Sequence, residues 1–244
     1  MFDLTKPWPL GLNRRTWPYF LLGFAIVLLL VSQLDVWASR GAIGWPDSWR
    51  EPFFVITDYG RSDWILLPAL GLFVVAWLVS RALKGLPRLA SVELAVWSGY
   101  IFLGVGAPGL MSNILKRIIG RGRPDVFEQS GAFSFQSVFN DWTFQSFPSG
   151  HTTTAIALAF TIGFLVPRLF PWLLAMGIIV GISRVPVGMH YPTDVLAGAC
   201  MGMLGAYLVR NLLAARGWLF ATRADGHIVP KPPVAIARLF QRAP

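Results

Sequence analysis

A chain of 244 residues that is 55% hydrophobic and only 14% charged is composed for lipid, which excludes both a disordered polypeptide and an ordinary water-soluble domain. The single Cys200 excludes a disulfide scaffold, and the 24 glycines follow no collagen-like period. A formal charge of +9 would point to nucleic acid in a soluble protein. Here the cations lie between apolar runs, so the lipid bilayer, not nucleic acid, is the expected partner.

In chain order, Trp17 to Leu34 and Trp64 to Ser80 are uncharged stretches long enough for a helix to cross a hydrocarbon core of about 30 Å. Leu94 to Leu115 is a third span, in which Gly104, Gly106, Pro108 and Gly109 predict a bend or a close helix contact and an irregular lower half. Thr152 to Val166, Trp172 to Ser183 and Val195 to Val209 are three shorter spans. The predicted fold is all-α: a six-helix membrane bundle over 17–209, between an N-terminal segment 1–16 and a basic tail 210–244.

Six spans place both termini on one side. Thirteen Lys and Arg fall on that side and eight on the other, so the termini are expected in the cytoplasm, in accord with the positive-inside rule. The first apolar run is too long for a signal core of about 7 to 15 residues and reads as an anchor. Trp45, Trp49, Phe53 and Phe54, between the first two spans, predict a segment lying at the headgroup level. In the tail, Ile236, Leu239 and Phe240 are spaced for one face of a short surface helix.

The outer side carries three polar clusters at the ends of apolar helices, where unpartnered polar groups are costly. The first is Lys116 with Arg123-Pro124, seven residues on, which share a helical face if the helix continues through Gly120 and Gly122. The second is Pro148-Ser149-Gly150-His151, and the third is Ser183-Arg184, His190 and Asp194. Lys116, Arg123 and Arg184 suit a phosphate group, and the helix start at Ser149-Gly150 offers it free N–H groups with no side-chain bulk at Gly150. Asp194 lies four residues after His190, placed to take the Nδ1 proton and leave Nε2 to attack phosphorus. His151 is the candidate acid for the leaving oxygen.

Metal catalysis is not expected, because Asp125, Glu128 and Asp141 do not cluster and three cations already fill the role of a metal. Arg117 and Arg121 read as solvated or headgroup-bound cations, His227 as uninvolved, and Cys200 as a small packed hydrophobe.

With their order and spacing, these three clusters resemble the signature of the type 2 phosphatidic acid phosphatase superfamily, which includes vanadium-dependent haloperoxidases. The resemblance implies a six-helix membrane core, a phosphohistidine intermediate on His190 and hydrolysis without a metal or other cofactor. It leaves the substrate open among phosphatidylglycerophosphate, phosphatidate, undecaprenyl diphosphate and lipid A 1-phosphate. A haloperoxidase holding vanadate in the same cation site, and a non-catalytic lipid-binding or transport protein, are the alternatives. The expected location is a bacterial inner membrane with the site facing the periplasm. The aromatic residues of 125–147, among them Phe127, Phe133, Phe135, Phe139, Trp142, Phe144 and Phe147, are expected to dip into the interface and admit acyl chains.

Overall fold

The computed structural model describes residues 3–127, 131, 133–138 and 141–241. Glu128 and Phe139 lie outside them. Its helices are α1 (Trp17–Ile43), α2 (Asp47–Asp58), α3 (Asp63–Ala82), α4 (Gly85–Ile119), α5 (Gly150–Leu165), α6 (Phe170–Ser183), α7 (Pro192–Ala215) and α8 (Val234–Gln241). Among the described residues, four helical stretches are long and apolar enough to cross a membrane: Trp17–Ile43, Asp47–Ala82, Gly85–Ile119 and Pro192–Ala215. The helices α5 and α6 are apolar but shorter.

α5 is the hub of the bundle, packed against α4, α6 and α7. It buries Ala155, Ala157, Ala159 and Gly163 with its threonines and phenylalanines, and such small residues let neighbouring backbones approach closely where lipid offers no hydrophobic drive. On α7, a Cβ at Gly198 would stand 2.5 Å from the Ser149 carbonyl oxygen, and one at Gly202 would stand 2.5 Å from that of Thr153. The two helices therefore meet backbone to backbone, and α7 cannot be seated this close with larger residues.

α4 departs from the expected irregularity, running unbroken through Pro108 to Ile119. The Pro108 ring lies in the space left by Gly205 on α7, whose Cβ would come within 2.6 Å of it, and a Cβ at Gly104 would come within 2.5 Å of the Thr161 hydroxyl, so of the two expectations for this stretch the close helix contact is present. α1 is exposed along most of its length and buries only Asp35, Ser39 and Ala42. It also continues nine residues beyond the predicted Leu34, carrying Asp35 into the bundle.

The end of the bundle away from the three clusters is closed by both chain termini. Arg210 is fully buried on α7, donating to the carbonyls of Leu4 at 2.5 Å, Lys6 at 2.6 Å and Pro7 at 3.0 Å, with its guanidinium 4.3 Å from the Phe164 ring centroid. A short antiparallel hairpin, β1 (Phe220–Thr222) with β2 (Ile228–Pro230), packs there, and the Glu93 carboxylate caps α8 by accepting from the Ala235 and Ile236 N–H groups at 2.9 Å. The hairpin was not predicted, although Asp225-Gly226 is a turn signal between apolar residues.

Candidate active site

The first cluster is built by a helix that stops. α4 ends at Ile119, and Gly120 takes a left-handed conformation (φ 62°) with its N–H bonded to the Lys116 carbonyl. The chain then folds back over the bundle rather than continuing as helix. Lys116 and Arg123 therefore do not converge through a shared helical face but through this turn. Backbone bonds from Gly122 to Ser134, from Arg123 to Thr143 and from Ser146 to Arg121 close the segment into a flap.

The second cluster sits at the start of α5, with Ser149 as the residue before the helix. The Ser149 N–H donates to the Asp194 carbonyl at 2.9 Å, tying the start of α5 to the start of α7. Its side chain accepts from Thr152 at 2.9 Å, and its carbonyl accepts from the Thr153 hydroxyl at the same distance. The Lys116 ammonium lies against Gly150, 3.2 Å from where a Cβ would stand. An alanine there would press on the ammonium, so the small residue is what lets a cation lie beside the exposed N–H groups of the helix start.

The third cluster spans the loop from α6 to α7. Arg184 follows the last turn of α6, buried and donating to the Thr57 hydroxyl of α2. The His190 N–H returns to the Arg184 carbonyl at 3.3 Å. Pro192 opens α7 as predicted, with Asp194 in its first turn. Arg123 Nη1 contacts Met189 Sδ at 2.9 Å, drawing the first cluster onto the third.

His190 is buried, and burial together with the charges of Lys116, Arg184 and Arg123 pushes its pKa well below the ordinary histidine value, leaving a neutral imidazole. The same crowding lowers Arg184 to about 10, burial acting first and Arg123 second, which still leaves it charged at neutral pH. Two of the guanidinium nitrogens, Nε of Arg123 and Nε of Arg184, are buried without a protein partner. Two cations thus carry unused donors beside a neutral imidazole, an arrangement suited to an anion. A cleft of about 500 Å³ adjoins it, lined by Arg61 before α3, by Asp63 and Leu66 on α3, by Gly106, Gly109, Asn113 and Lys116 on α4, and by Gly150 and His151 on α5.

The structure thus brings together Lys116, Arg123, Ser149, Gly150, His151, Arg184, His190 and Asp194. Two sequence expectations need correction. Arg121 is not a headgroup cation: it is buried and bonded to Asp194 Oδ1 at 2.6 Å and Asp35 Oδ2 at 2.8 Å. Motif membership alone missed it, because the turn at Gly120 directs it inward, and Asp35, just past an apolar span, was the available signal. The Asp194 carboxylate, moreover, is not hydrogen-bonded to His190, whose Nδ1 is buried without a hydrogen-bond partner among the described residues. Its Oδ2 stands 3.6 Å from His190 Nδ1 while accepting from the Tyr191 N–H at 2.8 Å and the Ser146 hydroxyl at 2.5 Å. Arg117 is exposed, as expected. Among the described residues of the 125–147 loop, the aromatic rings do not line the cleft. Trp142 stacks on Arg123 with its ring centroid 5.1 Å away, and Phe133 lies 5.7 Å from Arg121.

An apolar helical bundle that gathers cations and a buried neutral imidazole at one rim has the build of a membrane-embedded enzyme acting on an anionic group. Known proteins agree. The sequence profile described as PAP2 superfamily matches residues 97–218, and the chain belongs to that superfamily, on its membrane lipid-phosphatase branch. It is 37% identical to a lipid A 1-phosphatase of Rhizobium johnstonii over 88% of this chain and 86% of that protein. It is 29% identical to phosphatidylglycerophosphatase B of Bacillus subtilis over 79% and 90% of the two chains. The crystal structure of a transmembrane PAP2-type phosphatidylglycerolphosphate phosphatase from Bacillus subtilis superposes with a TM-score of 0.50 at 25% identity, covering 79% of this chain and 92% of that one. In enzyme class the chain is a phosphoric ester hydrolase.

Proposed function

We propose that this protein removes a phosphate group from the headgroup of a membrane lipid by transferring it to His190. The observation that carries the reading is the pair of unpartnered guanidinium nitrogens, on Arg123 and Arg184, buried beside a neutral His190 at the start of α5. Lys116, Arg123, Arg184, the Ser149 hydroxyl and the Gly150 N–H hold the phosphoryl oxygens and stabilise the charge that develops in transfer, the Ser149 N–H being already engaged by the Asp194 carbonyl. Nε2 of His190 attacks phosphorus, the bond to the lipid oxygen breaks, and His151 gives that oxygen its proton. Water then attacks the phosphohistidine, His151 takes the water proton, and inorganic phosphate leaves.

The same helices support a proposed membrane arrangement. α1 and α3 to α7 are the six crossings, with α5 and α6 accommodated despite their length because they pack within the bundle, and α2 rests at the outer interface with Trp49, Phe54 and Val55 exposed. The termini face the cytoplasm and the site faces the periplasm of a bacterial inner membrane, supported by the excess of cations at the end carrying both termini. The lipid's apolar body reaches the cleft between α3 and α4, where Gly106 and Gly109 leave room beside Leu66.

Lipid A 1-phosphate is the favoured substrate, supported by the extent of the likeness to the Rhizobium protein, and phosphatidylglycerophosphate is the second reading, supported by the Bacillus relatives. Detergent-solubilised protein offered these two, phosphatidate and undecaprenyl diphosphate in parallel is expected to release phosphate fastest from lipid A 1-phosphate, and His190→Ala is expected to release none. Fastest turnover of phosphatidylglycerophosphate moves the assignment to the second reading. Phosphate release by His190→Ala at the wild-type rate refutes the transfer step.

A further inference from the structure

A buried carboxylate on an otherwise lipid-facing helix requires a partner, and Asp35 has several. It accepts from the Thr193 N–H at 3.0 Å, from the Thr193 hydroxyl at 2.6 Å and from Arg121 Nη2 at 2.8 Å. The other arm of the same guanidinium, Arg121 Nη1, donates to Asp194 Oδ1 at 2.6 Å and to the Thr193 hydroxyl at 2.7 Å. One planar fork therefore spans two fully buried carboxylates on different helices, with the Tyr191 ring centroid 4.3 Å from it. Asp35 also sits at the first turn of α7, where a carboxylate is favoured by the helix N-terminus.

We infer that Asp35 and Arg121 are positioning residues, which act on the reaction through Asp194 and from there through His190. This rests on the reading of His190 as nucleophile. With Oδ1 held by Arg121 and Oδ2 held by Ser146 and Tyr191, the Asp194 carboxylate cannot rotate. The edge it keeps toward His190 stays in place, 3.6 Å from Nδ1. When Nε2 takes the phosphoryl group the imidazole becomes cationic, its Nδ1 still carrying the proton, and a carboxylate fixed at that edge stabilises it in the transition state. Asp35 sets the charge of this device. It balances Arg121, so that Asp194 is not neutralised by an unshared cation. Loss of Asp35 removes one of the two carboxylates that Arg121 bridges and weakens the field at Nδ1, while leaving Lys116, Arg123 and Arg184 to bind phosphate as before.

The test is a double-mutant cycle on purified, folded protein, with phosphate release from the lipid that the wild type turns over and that His190→Ala does not. Asp35→Asn is expected to lower kcat about tenfold, within the range found for residues joined in one ion network, with KM unchanged. In an Asp194→Asn background the same substitution is expected to change kcat by less than about twofold, because the group it acts through is gone. A full-sized loss in that background, or a loss expressed in KM, overturns the inference. Arg121→Lys keeps the charge but has no fork to span both carboxylates, and it is expected to lose kcat at unchanged KM. Wild-type turnover of Arg121→Lys also overturns the inference. If neither Asp35→Asn nor Arg121→Lys folds, the pair is a structural anchor and the positioning role is rejected. Absence of phosphate release by the wild type would count against the proposed function, not against this pair.

Discussion

Gly198→Ala isolates the closeness of α5 and α7 from the chemistry of the side chains they carry. The added Cβ would stand 2.5 Å from the Ser149 carbonyl oxygen and 3.2 Å from Thr152 Cβ and Thr153 Oγ1. Ordinary contact begins near 3.4 Å, so α7 is about 0.9 Å too close to backbone that has no rotamer by which to yield. Gly198 lies one helical turn beyond Asp194, and the carbonyl it would strike belongs to the residue that opens the phosphate-holding turn. Separating the helices therefore moves His190 and Asp194 away from Ser149, Gly150 and His151 by most of that distance. A misplacement of about 1 Å in a reacting geometry costs on the order of 100-fold in rate, while overpacking costs about 1–3 kcal/mol of stability. Gly71→Ala and Gly23→Ala provide the comparison, since a Cβ at either position meets nothing within 4 Å. Turnover of the three purified variants, measured beside their melting temperatures, is expected to show kcat reduced about 100-fold for Gly198→Ala in protein that remains folded, and unchanged for the other two. A Gly198→Ala enzyme with wild-type kcat would refute the claim that backbone contact sets the distance between the two halves of the site.

His190 also makes stability depend on pH. Its folded-state pKa lies well below the unfolded value of about 6.5, so on acidification the unfolded chain takes up a proton that the folded protein does not. The contribution is complete above that pH and falls away below it by up to about 1.4 kcal/mol per pH unit. Melting temperatures from pH 8 to pH 5 should fall more steeply for the wild type than for His190→Gln, and equal slopes would contradict a buried neutral imidazole. Incubation with a divalent-ion chelator is expected to leave turnover unchanged, since Lys116, Arg123 and Arg184 supply the positive charge. A loss restored by adding back a divalent ion would overturn that assignment.

The helices were legible because apolar run length and interrupting charge are local properties, and Pro192 marked the start of α7 within the sequence itself. The three clusters were legible for a related reason: each is short and lies at a helix end. Other features were not, because they depend on partners far away in the chain. Arg121 has the composition of a surface cation and becomes a buried fork only because Gly120 turns the chain back toward Asp35, 86 residues earlier. Pro108 and its neighbouring glycines predict a bend or a close contact in isolation, and the contact partner, Gly205, lies on a distant helix. Arg210 reads as the first residue of a basic tail, yet it is buried by carbonyls 203 to 206 residues away. Spacing placed Asp194 near His190, but did not show that its oxygens are taken by Arg121, Ser146 and the Tyr191 backbone, with Nδ1 left 3.6 Å away.

The distance along the chain between Asp35 and Arg121 has a consequence for biogenesis. The ribosome delivers α1 to the membrane with its acid unmatched, and neither Arg121 nor Thr193 exists until much of the remaining chain has been made. Until then the first helix has little to hold it, since most of its surface suits lipid as well as protein. Its capture must come late in assembly, and the ionic latch closes only on a bundle whose later helices have already found their places.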